Sequence, residues 1–216
     1  MKFFGWRMVF TGLTLEFTVV GFIFYSFPVI WPYLISELGM TESQLGMVTA
    51  FYFLPVGILA IVVGRALDKY SVKNFMMIGA VIYAVGLFSL SFINSYGSLL
   101  TIYLTIIALG SIMMGNLAVA KLISNWFDKN AGRALGIAAI GISFSGVVLP
   151  LVVDPLLDLV GWRNVYVIFA SVVLFILLPL IFFTVIDDPK TVNQFKDGIK
   201  KDNEEESLPQ EMSAKD

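Results

Sequence analysis

Long stretches without a single charge leave this chain few ways to fold. Ser43–Gly64, Asn74–Ala120, Ala134–Val153 and Asn164–Ile186 contain no Asp, Glu, Lys or Arg. About 20 apolar residues at ~1.5 Å rise cross the roughly 30 Å of hydrocarbon in a bilayer. Water is absent there, so a crossing segment must satisfy its own backbone, which a helix does. Hydrophobic residues make up 58% of the 216 and charged residues 14%. A soluble domain has about 45–50% and about 25%. The pattern is that of an all-α membrane protein with several crossings.

The chain has neither Cys nor His. That excludes a disulfide framework and thiolate chemistry, and it removes the commonest metal ligand. No metal site, cofactor or nucleophilic triad is expected, and so no enzyme. Gly132-Arg133-Ala134-Leu135-Gly136 lacks the Gly-Lys-Ser/Thr ending of a phosphate-cradling loop. The basic residues lie in scattered loops, so no nucleic-acid partner is expected. The first apolar stretch, Met8–Ile35, is too long for the core of a cleavable signal.

Six spans are expected, near residues 6–35, 43–67, 74–93, 98–126, 134–153 and 165–186. The third and fourth share one uncharged run, which Asn94-Ser95-Tyr96-Gly97 divides by turn chemistry. Thr41 and Gln44 have the spacing of a capping box at the start of the second span. Residues 1–187 then form a six-helix bundle. Residues 188–216, with Glu204-Glu205-Glu206 and few large apolar side chains, read as a polar, mobile cytoplasmic tail or linker. A short surface helix near 191–201 is the alternative there.

Lys and Arg fall on alternate loops. Lys2, Arg7, Arg65, Lys69, Lys73, Lys129, Arg133 and the tail lysines share one side, and Arg163 stands alone on the other. The positive-inside rule then puts both termini in the cytoplasm, in an inner or plasma membrane. Trp6, Trp31, Trp126 and Trp162 fall near span ends, as in an interfacial aromatic belt.

The loop after the second span reads Gly64-Arg65-Ala66-Leu67-Asp68-Lys69-Tyr70-Ser71-Val72-Lys73. It resembles the cytoplasmic signature of the major facilitator superfamily, matching at Gly64, Asp68, Lys69 and Lys73. Ser71 stands where that signature has glycine, and Val72 where it has a basic residue. Asn125-Trp126-Phe127, Ala131-Gly132-Arg133-Ala134-Leu135-Gly136, Gly141, Ser143, Gly146, Pro150 and Gly161-Trp162-Arg163 look like the span four-to-six region of its monocarboxylate and oxalate/formate branch. Gly5-Trp6-Arg7 is similar to that branch's first-span entry. The resemblance covers about residues 5–187. It implies the N-terminal six-helix half of a twelve-span fold, with a second half outside this chain. It also implies a conformational role for the loop of Gly64, Asp68, Lys69 and Lys73. The plainer reading of that loop is a topogenic signal; Asp68 can accept from helix N-terminal amides or pair with Arg65 or Lys69. Ala134, Ala138, Gly141, Ser145 and Gly146 are small residues that permit close helix packing in lipid.

Two charges interrupt the hydrocarbon, Glu16 and Lys121. Such groups are costly in a membrane and are functional suspects. Glu16 lies about 15 Å into its span, near the midplane. It can load and release a proton during transport, bond a neighbouring helix, or face lipid. Lys121 can snorkel to the interface or meet an anionic substrate. Asn116 and Tyr25 can hydrogen-bond substrate or serve as links between helices. The expected function is secondary transport of a small organic anion such as a monocarboxylate, by alternating access. Its partners are the anion, protons, membrane lipid and a second six-helix half, either another copy or a separate chain. The substrate class rests on the branch resemblance alone. The rival is a non-transporting half that acts as scaffold or partner subunit.

The cysteine-free chain makes topology testable. Single cysteines at positions 39 and 158 should react with an impermeant reagent from outside, and those at 69 and 129 should not; the reverse pattern would overturn the orientation.

Overall fold

The structure is a computed structural model, and it describes residues 3–199. Five helical stretches are long and apolar enough to cross a membrane. They are α1 (Gly5–Leu38), α2 (Glu42–Leu67), α3 (Val72–Leu90), α4 (Tyr96–Trp126) and α5 (Ala131–Thr184). The capping box expected at Thr41 and Gln44 is formed in both directions, at 3.2 and 2.9 Å. Ser95 and Ser98 cap α4 in the same way.

The expected loop between the fifth and sixth spans is not a loop. Residues 154–160 are helical and helix resumes at Trp162, so α5 runs for 54 residues. A straight helix of that length would measure about 80 Å. Gly161 prevents this, because its φ of 76° and ψ of 158° are not helical and a Cβ would strain the turn. Contacts show that the stretch doubles back. Near its start, Arg133 lies over the Trp6 ring at 5.7 Å. Near its end, the Arg7 guanidinium donates to the Phe183 carbonyl at 2.9 Å. At the bend, the Trp162 indole N–H donates to Glu37 at 2.6 Å, and Arg163 pairs with the same carboxylate. Both arms of α5 therefore flank α1, one running up it and one down.

The small residues of the first arm do what their spacing predicts. A methyl group on Gly141 would overlap the Leu13 carbonyl of α1, and Ser145 lies against Gly21. Phe22 of α1 stacks on Phe169 of the second arm, centroids 3.9 Å apart. On the other flank, Gly110 of α4 lies against the Tyr83 backbone of α3. Lipid supplies no hydrophobic drive between helices, so these close approaches supply dispersion instead. The helix α2 stands apart, with 17% of its apolar window buried against 56% for α1 and α4.

The loops that carry the excess Lys and Arg gather at one end. Asp187 accepts from the Lys73 amide at 2.8 Å, and the Trp126 indole donates to the Ile186 carbonyl at 2.7 Å. Asp197 accepts from the backbone N–H groups of Asp128, Lys129 and Asn130 at 3.0, 2.8 and 3.2 Å. Burial works against ionisation of Asp197, but these donors outweigh it and hold the carboxyl below the usual carboxylate range. Residues 188–199, assigned to the polar tail by sequence, are thus tied to the bundle, as two short 3₁₀ turns rather than a surface helix. Residues 200–216 lie outside the described residues. Trp126 and Trp162 are also buried rather than standing in an interfacial belt.

Gly141→Ala should destabilise the bundle by about 1–3 kcal/mol, as overpacking does. Gly136→Ala on the same helix meets nothing within 4 Å and should leave stability unchanged or raise it by up to about 1 kcal/mol. Reversible denaturation in mixed micelles compares the two; equal stability would mean that α1 and α5 do not pack this closely.

Candidate functional site

The α1 face that carries Glu16 turns inward, and Glu16 is 2% exposed. Lipid exposure is thereby excluded. One turn later, Val19 packs on Gly115 of α4, and the Tyr83 hydroxyl of α3 donates to the Val19 carbonyl at 2.9 Å. One turn earlier, Gly12 packs on Val119 of α4, so Glu16 faces the turn of α4 that begins at Asn116, and its Oε2 has no partner among the described residues. Sequence reasoning proposed both residues separately, and the fold brings them together.

Asn116 owes its position to a break. At Gly115, φ is −92° and ψ is −140°, so the helix stops after Met114 and starts again at Asn116. Asn116 is exposed, on a face that no other part of the chain covers. Gly115-Asn116 is turn chemistry inside an apolar run, the signal that could have revealed the break from sequence. Just before it, the Ser111 hydroxyl meets the Tyr52 hydroxyl of α2 at 2.5 Å, both buried. Nothing in the sequence singled out that pair.

Lys121 does not meet Glu16. Its ammonium pairs with Asp68 Oδ1 at 2.6 Å, with side chains 33% and 68% exposed. This joins an intramembrane cation to the loop signature, and it gives Asp68 a partner other than the helix amides, Arg65 or Lys69 that the sequence offered. Lys73 lies over the Phe182 ring at 4.9 Å, while Lys69 is exposed. A Cβ on Gly64 would touch only Leu117, at an ordinary 3.9 Å. Packing within this chain therefore does not require glycine at position 64. Tyr25 stands apart from Glu16. It closes a π-helical turn, Gly21–Tyr25, and its ring covers Gly146.

Chemically, the site is a buried carboxyl with one free oxygen beside a broken helix, with a tethered cation about one turn nearer the loop end. No group of His, Cys, Asp and Glu suited to a metal occurs among the described residues.

The model of the Major Facilitator Superfamily matches residues 13–209. The chain is 26% identical over 160 residues to an MFS-type transporter of Aspergillus niger, covering 73% of this chain and 36% of that protein. It is 26% identical over 165 residues to a probable hexose phosphate transport protein of Chlamydia trachomatis, covering 74% and 35%. It is 27% identical over 143 residues to a probable sulfoacetate transporter of Cupriavidus necator, covering 65% and 33%. Its fold matches a bacterial homolog of the human lysosomal transporter Spinster, inward-facing and unoccupied, with a TM-score of 0.72 and 17% identity. That match covers 94% of this chain and 47% of the other. The chain spans about a third of the length of these relatives and about half of that structure.

The Lys121–Asp68 pair is exposed enough for water and salt to screen it. A double-mutant cycle with Lys121→Met and Asp68→Asn should give a coupling of about 0.2–1 kcal/mol in unfolding. A coupling above about 3 kcal/mol would mean a buried structural pair instead.

Proposed function

The chain belongs to the major facilitator superfamily, and from that premise we propose that it is a six-span half of a secondary transporter for a small organic anion. It is a multi-pass integral membrane protein, in a family of membrane transporters. The finer reading makes six crossings of the five helical stretches, because α5 doubles back at Gly161. Both termini are then cytoplasmic, in an inner or plasma membrane, as the gathering of basic loops at one end of the bundle supports. The membership points to transport rather than enzymatic catalysis.

The observation that carries this reading is Glu16, buried at mid-span against the broken α4 with one oxygen free. A membrane fold does not keep such a group without return, since its desolvation is costly. In a chain without histidine, a carboxyl that cycles between protonated and ionised forms is the available means of coupling to protons. Asn116 orients it. Lys121, held by Asp68, is the cation through which the loop between α2 and α3 acts on the site. Release of this pair as the halves rock makes the loop a conformational latch. Tyr25, exposed farther along α1 with its ring over Gly146, is a further candidate for a hydrogen bond to substrate.

The anionic substrate class draws support from relatives whose names specify hexose phosphate and sulfoacetate, both anions. A monocarboxylate is the finer choice, from the branch resemblance. Major facilitator sites lie between two halves. The exposed apolar faces of α2 and of the first arm of α5, including Phe51, Leu54, Ile58, Phe144 and Val147, therefore await a second six-helix half, another copy or a separate chain.

Uptake of labelled small carboxylates into proteoliposomes, with the detergent-corrected mass of the same preparation, tests this. An assembly of two halves should accumulate substrate under an inward-directed proton gradient. Glu16→Gln should reduce gradient-driven accumulation at least about tenfold while sparing exchange, as loss of general coupling chemistry would. Full accumulation by Glu16→Gln would make the residue structural. A stable monomer that moves nothing would favour a scaffold or partner subunit.

A further inference from the structure

The break in α4 leaves donors as well as a kink. The Gly115 amide still bonds the Ser111 carbonyl at 2.8 Å, and the Gly115 carbonyl accepts from Val119 at 2.9 Å. Between these bonds, the break at Gly115 denies the N–H groups of Asn116, Leu117 and Ala118 the acceptors one turn back that a continuous helix would supply, and no side chain caps the helix start. Every helix start leaves such groups, but most lie in water. These lie within a membrane span, at the start of an 11-residue helix whose dipole adds to their positive potential. Broken helices in transporters direct such ends at anionic groups.

A second observation points to the same place. Glu16 Oε2 is buried and without a partner, and Glu16 lies on α1 between Gly12, which packs on Val119, and Val19, which packs on Gly115, so it faces the first turn of that helix. An acceptor-bearing side chain thus stands at the free amides without binding them. Asn116 is exposed, so the place opens onto the uncovered face.

We propose that the break in α4 is the seat for the anionic group of the transported ligand, a carboxylate, sulfonate or phosphate. The N–H groups of Asn116, Leu117 and Ala118 receive it, and Glu16 admits it only when its own carboxyl carries a proton. The inference rests on the transporter reading and locates its ligand. Two negative charges cannot share three donors in a medium of low dielectric without strong repulsion. Protonated, the free oxygen becomes an O–H donor and joins the amides. One proton from solvent enters with each anion and leaves with it. Few other charges intervene on the elements packed around Glu16. On α1 they are Arg7 and Glu37, near its two ends, with Tyr25 and Tyr33. On α3 they are Lys73, and Tyr83, which is bonded to Val19. On α4 they are Lys121, taken by Asp68, with Tyr96 and Tyr103. On α5 they are Arg133, Asp154, Asp158, Arg163 and Tyr166.

Titration calorimetry of the purified full chain with acetate and with sulfate, in two buffers of different ionisation heat, counts protons per anion. One proton should be taken up, and affinity should fall about tenfold per pH unit on the alkaline side. Glu16→Gln should bind both probes with no proton uptake and no such slope. Asn116→Pro removes one amide at a position where proline suits a helix start, whereas Asn116→Ala keeps it. The proline variant should bind at least about tenfold more weakly than the alanine variant, the loss of a hydrogen bond to a charged group. Should the proline variant fail to fold, the proton count in Glu16→Gln decides. Binding without proton uptake, equal affinities of the two Asn116 variants, or no binding of either probe overturns the proposal. Gradient-driven transport alongside any of these results would leave the transporter reading standing and remove this seat.

Discussion

Lipid tails are as apolar as a leucine side chain, so two helices in a bilayer gain nothing by hiding apolar surface from it. What remains is chiefly dispersion, which loses about a quarter to a half of its strength across a gap of ~0.5–1 Å. The central helix α1 must therefore lie very close to its neighbours. Gly141 permits this on the first arm of α5, and the Phe22–Phe169 stack holds the second arm. With α1 gripped on both sides, the face that bears Glu16 is fixed against α4, and the burial of that carboxyl follows from the packing.

The same solvent makes every interruption of a helix costly, because freed backbone groups find no water. The interruptions in this chain are few and differ in kind. Gly161 turns α5 back near one end, where Glu37 ties the bend to α1 through Trp162 and Arg163. The π-helical turn at Gly21–Tyr25 is repaired locally, since Ser26 returns two bonds to the Gly21 carbonyl. Gly115 alone leaves a helix start uncapped in the interior, and it does so beside the one buried carboxylate side chain among the described residues. The two costly features, an interrupted helix and a buried carboxylate, thus coincide.

Local chemistry made much of this legible. The caps at Thr41 and Ser95 and the small-residue stripe of α5 are patterns that act within a few residues, and they appear as read. Glu16 and Asn116 were identifiable as polar groups in hydrocarbon, but their meeting spans 100 positions and depends on the α1–α4 packing. Lys121 shows the limit more sharply. Its partner Asp68 lies 53 residues away, and a lysine near a span end offers nothing in sequence to distinguish an ion pair from snorkelling. The segment 188–199 read as solvated tail because it has few large apolar residues. Its hold on the bundle comes from Gln194 and Asp197 accepting backbone N–H groups of Phe4, Asp128, Lys129 and Asn130, which composition does not reveal.

Whether α4 is broken beside Glu16 can be measured without a ligand. Hydrogen–deuterium exchange of the chain in lipid nanodiscs, resolved to single amides, reads the backbone directly. Amides of Asn116, Leu117 and Ala118 should exchange far faster than those of Ile112 and Met113 before the break or Leu122 and Ile123 after it, because only the former are denied an acceptor one turn back. Uniform protection from Ile112 to Ile123 would show a continuous helix, and the account of the site would fail with it.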